Sequence, residues 1–214
     1  MSQVIVYVEG GGDTRGLQAP LREGFHKFFR KVLGDSLPRP KVVACGGRQR
    51  AFDDFVQGLK SNPGADCVLL VDSEEAVVSG RANWEHVRQR RGDHWTRPSE
   101  ADETQLHLMV QAMETWLVAD PEALSGYYGK DFRPAALPRA TDLETVPKLD
   151  VYRALANATG ATKKGVYGKA HGFELIGRID WRKVQHRCPR AGEFFDALTL
   201  RVRAMNVVNI ACRS

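Results

Sequence analysis

Five apolar residues in a row, Val4-Ile5-Val6-Tyr7-Val8, stop at Glu9, and a second run, Val68-Leu69-Leu70-Val71, stops at Asp72-Ser73-Glu74. Short unbroken apolar runs of this length read as strands buried on both faces, the kind that parallel sheets use. Between them the period changes. Leu17, Leu21, Phe25, Phe28, Phe29 and Leu33 recur at helical spacing, with Pro20 marking where the regular helix starts. Pro38 and Pro40 break the chain before a short strand over 41–45, Gly46-Gly47 turns it, and 50–60 makes a second amphipathic helix through Phe52, Phe55, Val56 and Leu59. Pro63-Gly64 leads into the acid-bearing strand at 67–71. Strands separated by helices predict an α/β fold, a mainly parallel sheet with right-handed crossovers.

Periodicity weakens over 79–104, where arginines lie among Trp84, His86, His94 and Trp95; the pattern predicts a helix over 82–91 and loop for the rest. A fourth strand over 106–110 continues without a break into a helix that ends at Pro121. The texture then changes. Gly126-Tyr127-Tyr128-Gly129 and the segment 134–138 read as a linker, followed by helices at about 148–159, 172–179 and 193–205. The organisation expected is an α/β core over 1–120 and, over 121–214, a linker with a helical extension packed on the core. There is no internal repeat and no low-complexity segment.

Composition narrows the class only modestly. Apolar residues at 43% and charged residues at 27% are ordinary for a globular chain with a sizeable core. Cys45, Cys67, Cys188 and Cys212 show no CxxC pair and no histidine at finger spacing, so neither a zinc site nor a disulfide framework is expected. Buried thiols, no signal peptide and no membrane-length run point to the cytoplasm. The net charge of +5 permits nucleic-acid binding without demanding it. Its distribution is more telling: residues 160–190 carry eight Lys and Arg against two acids, an excess of six that exceeds the charge of the whole chain. Such a local excess fits a phosphate-backbone contact or a solvated face.

The chemistry concentrates at the strand exits. Parallel strands present their ligands at the carboxyl edge of the sheet, so Glu9, Asp72 and Glu74 would meet there, and their mutual repulsion calls for a hard cation or a shared proton. Taken singly, each acid could equally begin a loop or cap a helix. Glu114 sits between Met113 and Trp116 in an apolar stretch; it is either a further ligand or acid–base group, or a helix-start acid favoured by the macrodipole. Gly10-Gly11-Gly12 makes a tight turn and is not a Walker loop, because no Lys-Ser/Thr follows. Arg48 either contacts a phosphate or pairs with an acid. In the basic tract, Lys163 and Lys164 are candidate substrate contacts, Lys169 could offset charge building on a phosphate, and His171 could position it or move a proton. The four tryptophans read as packing residues.

Several segments together resemble a known family: Val8-Glu9-Gly10-Gly11-Gly12-Asp13, Cys45-Gly46-Gly47-Arg48, Leu70-Val71-Asp72-Ser73-Glu74, His107 through Trp116, and Tyr167-Gly168-Lys169-Ala170-His171. The chain is similar to the Toprim domain of topoisomerases, primases and nucleases, and more closely to a bacterial Toprim-like family often encoded beside ABC/AAA-type ATPases in phage-defence-like operons. The general Toprim pattern has Asp where this chain has Glu74, which reaches one methylene further. The resemblance implies a Rossmann-like fold. It also implies a Mg²⁺- or Mn²⁺-dependent nuclease for DNA or RNA, with Glu9, Asp72 and Glu74 as metal ligands, Glu114, Lys169 and His171 in the catalytic set, and an ATPase partner. The alternative is a non-catalytic Toprim-like module that docks the ATPase.

Overall fold

The computed structural model describes residues 3–12 and 15–211, so Asp13 and Cys212 lie outside the described residues. Four parallel strands form one sheet: β1 (Val4–Val8), β2 (Lys41–Ala44), β3 (Asp66–Asp72) and β4 (Leu106–Met109). Their order across the sheet is β2-β1-β3-β4. The expected α/β class and all four strands are therefore present, β1 with the expected bounds and the other three with shifted ends.

Every residue of β1 is buried, because the sheet is covered on both faces. Val4, Val6 and Val8 face one core with Val68 and Leu70; Ile5 and Tyr7 face the other with Cys67, Leu69 and Val71. This is the two-residue alternation of a strand with apolar neighbours on both sides. The second core is roofed by α2 (Arg48–Ser61) and α3 (Asn83–Gln89) through Phe55, Trp84 and Val87. The first is roofed by α1 (Arg15–Leu33) together with the helices that follow β4: α4 (Met113–Val118), α5 (Pro121–Tyr128), α6 (Lys148–Thr159), α7 (Lys169–Ile176), α8 (Trp181–Arg187) and α9 (Pro189–Ala211). Phe28 of α1 lies at the centre, stacked on Trp116 at 5.8 Å and edge-on to Phe195 at 5.4 Å. No helix among the described residues is long and apolar enough to cross a membrane.

Four expectations are corrected. Helix α1 begins at Arg15, not near Pro20; the amide that proline lacks would have bonded the carbonyl of Gly16, an exposed residue in the first turn, where the loss costs little. The strand–helix continuity at 106–120 is broken: β4 ends at Met109 and α4 starts only at Met113. Pro121–Tyr128 is helix α5, not linker. Asp120 caps it by accepting from the Ala123 amide (3.3 Å), Pro121 starts it, and Leu124, Tyr127 and Tyr128 bury its inner face. Finally, α8 was not anticipated; Asp180 caps it by accepting from the Arg182 amide (2.9 Å).

The stretch 79–104 is anchored rather than loose. Trp95 stacks on Phe52 at 4.6 Å, and the Trp84 indole donates to the Asp102 carbonyl (3.1 Å). With Trp116, both are buried, as expected of packing tryptophans.

Candidate metal centre

In this strand order the crossover after β1 runs to β2 on one side and the crossover after β3 runs to β4 on the other, so a crevice opens at the carboxyl ends of β1 and β3. Glu9 follows β1 and Asp72 ends β3, and that is where both acids stand. One carboxylate oxygen from each of Glu9, Asp72 and Glu74 lies within 4.8 Å of the other two. Asp72 is buried and the other two are partly buried.

The local structure explains how the three are held. The Asp72 amide donates to Glu9 Oε2 (3.2 Å), which ties the loop after β1 to the end of β3. Asp72 Oδ1 accepts from the amide of Met113 (2.8 Å). Helix α4 has Ala112 at its start and no side-chain cap of its own, so Asp72 supplies the cap from across the sheet. Glu74 sits at a φ of +68°, in the left-handed region that a side chain other than Gly, Asn or Asp rarely occupies. Its amide donates to the Gln111 carbonyl (2.9 Å), which locks that conformation in place.

Among the described residues, two cations pair with the acids. Arg48 donates to Glu9 Oε2 (3.0 Å) and to the Asp72 carbonyl, while its other edge grips both oxygens of Asp93 (2.8 and 2.7 Å). Trp95 covers its guanidinium. Of the two readings of Arg48, pairing with an acid is the one the geometry displays. Lys148, which sequence reasoning missed, places its Nζ 2.8 Å from Glu74 Oε1 and 3.4 Å from Asp72 Oδ2. It is the first residue of α6, and its own amide donates to Gln111 Oε1 (3.1 Å).

Burial raises the Asp72 carboxyl well above its ordinary range, with Glu9 and Glu114 adding to the shift and Lys148 opposing it. Glu9 is raised for the same first reason, against Arg48. Burial alone would lower Lys148, but Asp72 and Glu74 outweigh it and hold the ammonium above the usual lysine value. A concentration of negative charge this poorly hydrated favours a cation. Three carboxylates at this separation are a donor set that Mg²⁺ or Mn²⁺ accepts.

Glu114 lies in the first turn of α4, next to Met113, 2% exposed, its Oε1 accepting from the Tyr167 hydroxyl (2.9 Å). Burial, and after it Glu114, pushes the Tyr167 hydroxyl well above its ordinary range and Tyr152 likewise upward, so both remain donors. Glu9 and Asp72 open on a cavity of about 240 Å³ walled by Gly10, Gly11, Gly12, Gly46 and Gly47, with Glu114 and Lys169 also on its lining. Gly10 and Gly46 exchange backbone hydrogen bonds (2.8 and 2.9 Å). A Cβ on Gly46 would stand 2.8 Å from the Gly12 carbonyl oxygen, so the loops approach as closely as they do only because side chains are absent.

The rest of the basic tract divides. Lys163 and Lys164 are exposed, and Lys164 lies 4.4 Å over the Tyr127 ring. Lys183 pairs with Asp120 (2.7 Å) and Glu122 (2.6 Å). Arg187 donates to the carbonyls of Pro138 and Ala140, and Arg190 to Asn83 and the Arg81 carbonyl. Three of the eight positives thus hold the helices together. His171 is hydrogen-bonded through Nδ1 to the Tyr128 hydroxyl (2.9 Å) and is not on the cavity lining.

No curated protein and no solved structure matches the chain. A family match covers residues 8–199, a span that contains all three acids, Arg48, Glu114, Lys148 and Lys169. The chain therefore belongs to the family described as a domain of unknown function, DUF4276.

Proposed function

We propose that the protein is a Mg²⁺- or Mn²⁺-dependent phosphodiesterase of the Toprim kind, cutting DNA or RNA, with Glu9, Asp72 and Glu74 holding the cation. The observation that carries the reading is the convergence of three carboxylate oxygens within 4.8 Å at the sheet's switch point. The bound ion would supply Lewis acidity at a phosphodiester oxygen. The protein's own groups divide the remaining work. The glycine-walled cavity leaves room for a phosphate against backbone, Lys169 on its lining offsets phosphate charge, and exposed Lys163 and Lys164 continue the positive surface. Glu114, pinned by Tyr167, holds further negative charge beside Asp72. His171, engaged by Tyr128, has no part in the proposed chemistry.

The second reading, an interaction module that docks an ABC/AAA-type ATPase, is favoured by a different observation. Arg48 and Lys148 already pair with all three acids, so the site is electrostatically tolerable without a metal. The resemblance assigns the ATPase to either reading, as a partner that delivers or restrains a nuclease or as the module's target. The two separate on purified protein incubated with plasmid, single-stranded DNA and tRNA in Mg²⁺ or Mn²⁺, alone and with the ATPase. Asp72→Asn is the informative variant, since its amide oxygen still accepts from Met113 and spares the α4 cap. Cleavage by the parent chain that disappears in Asp72→Asn supports the nuclease. Absence of cleavage on every substrate, with the partner present, favours the module.

A further inference from the structure

The two cations facing the acids are built differently. Arg48 is held from both sides: one edge meets Glu9 and the other is clamped by Asp93, whose side chain is 2% exposed, under the Trp95 ring. Moving it would strand a buried carboxylate. Lys148 is held from one side only. Among the described residues its Nζ contacts Glu74 and Asp72, with the Glu114 charge near by and the Tyr152 ring 6.0 Å away. Its backbone, by contrast, is fixed by the Gln111 side chain and by its place at the start of α6. A four-carbon stem on a fixed backbone can swing without disturbing the helix.

The oxygens that Lys148 contacts belong to two of the three carboxylates that converge. A divalent ion bound to them would sit about 2.0–2.6 Å from each ligand oxygen. That distance brings it against an ammonium 2.8 and 3.4 Å from the same two groups. Like charges this close in a poorly hydrated pocket exclude each other. We infer that Lys148 is the site's built-in counter-cation, occupying Asp72 and Glu74 until a divalent ion displaces its side chain, while Arg48 stays in place. This rests on the metal reading of the three acids and adds a competition that the acids alone do not contain. Neither the apolar pattern nor the charge count singles out Lys148, because its partners are more than seventy residues earlier in the chain.

Mn²⁺ titration calorimetry on the full chain and on Lys148→Met tests it. Removing the ammonium should tighten Mn²⁺ binding by at least about fivefold at the same pH and salt. Parent-chain binding with no gain in Lys148→Met, its fold checked by circular dichroism, overturns the competition and leaves the metal site standing. No binding by either protein overturns both. A measurement that needs no variant is reductive methylation of the parent chain read by mass spectrometry. Lys148, whose side chain is 21% exposed, should label faster in saturating Mg²⁺, while Lys27, 62% exposed, should not change. Unaltered Lys148 labelling in Mg²⁺, in protein shown by calorimetry to be saturated, also overturns the competition.

Discussion

Asp72 uses its two oxygens for three tasks: Oδ1 caps α4, Oδ2 faces Lys148, and the carboxylate as a whole belongs to the acid cluster. Another buried acid, Glu144, shows what happens when burial outweighs its partners, the Arg190 charge among them. From the single turn Leu143–Thr145 its side chain reaches the start of α9, where Oε1 accepts from the amides of Arg190 (3.0 Å) and Ala191 (3.3 Å). Burial pushes its pKa up to about 7, although those amides pull the other way. Because the folded value lies above the ordinary 4.5, the folded state binds the extra proton, and stability falls as pH rises from about 4.5 through 7. The cost is complete above that window and absent below it. Glu144→Gln cannot ionise, so its melting temperature should be flatter across pH 4.5–7.5. The parent chain should lose on the order of 3 kcal/mol relative to it over that range. Parallel pH profiles for the two proteins would refute the assignment. At this scale the sequence was partly legible. Glu9, Asp72 and Glu74 stood out because they follow apolar runs that read as buried strands. Lys148 and the Tyr167–Glu114 bond did not, since tertiary packing alone brings those segments together.

Elements meet most tightly where glycine replaces a side chain. Gly24 of α1 lies against α7 so closely that a Cβ would overlap the carbonyl oxygen of Phe173 and the Ile176 side chain. The same pair of helices touches the site, because a Cβ on Gly10 would fall 3.0 Å from Leu21 of α1 and 3.9 Å from Phe173 of α7. Gly24→Ala should therefore destabilise by about 1–3 kcal/mol, toward the upper end because the obstacle includes backbone. Gly126 of α5 is the control: it is exposed, helical and has open space at its Cβ position, so Gly126→Ala should be neutral or stabilising by up to about 1 kcal/mol. Urea denaturation of both variants reads the contrast, and equal midpoints would show that α1 and α7 can part without cost. The two glycines also show where element reading from sequence succeeds and fails. The period of α1 was plain, being set by six apolar residues on one face. Helix α5 was hidden by the glycines that flank its tyrosines, although Asp120-Pro121, a cap followed by a first-turn proline, was the signal for its start.

Across the whole molecule, the sheet's two faces depend on different parts of the chain. The face covered by α2 and α3 is closed entirely by residues before β4 ends or just after it, from Ile5 to Val110. The opposite face is not: Phe25, Phe28 and Phe29 pack with Trp116 against Phe173, Phe194 and Phe195. Arg201 of α9 reaches back to pair with Asp66 at the head of β3 and to bond Thr104, which fastens the last helix across the sheet. Cutting the chain after residue 120 would leave the strands and three acids in place by sequence, yet expose one whole side of the sheet. Each large aromatic returned to water costs roughly 1.5–3 kcal/mol. Four of them, Phe25, Phe28, Phe29 and Trp116, are together comparable to the roughly 5–15 kcal/mol that holds an ordinary domain folded. The 1–120 fragment should accordingly retain little fixed tertiary structure: weak near-ultraviolet circular dichroism, strong binding of a hydrophobic dye and a poorly dispersed amide spectrum. A fragment that instead unfolds cooperatively with dispersed resonances would show that the first 120 residues suffice for a core. The helices after them would then be a cover on a fold already complete. If the fragment fails as expected, the acids at the sheet edge owe their geometry to the C-terminal helices as much as to the strands that carry them.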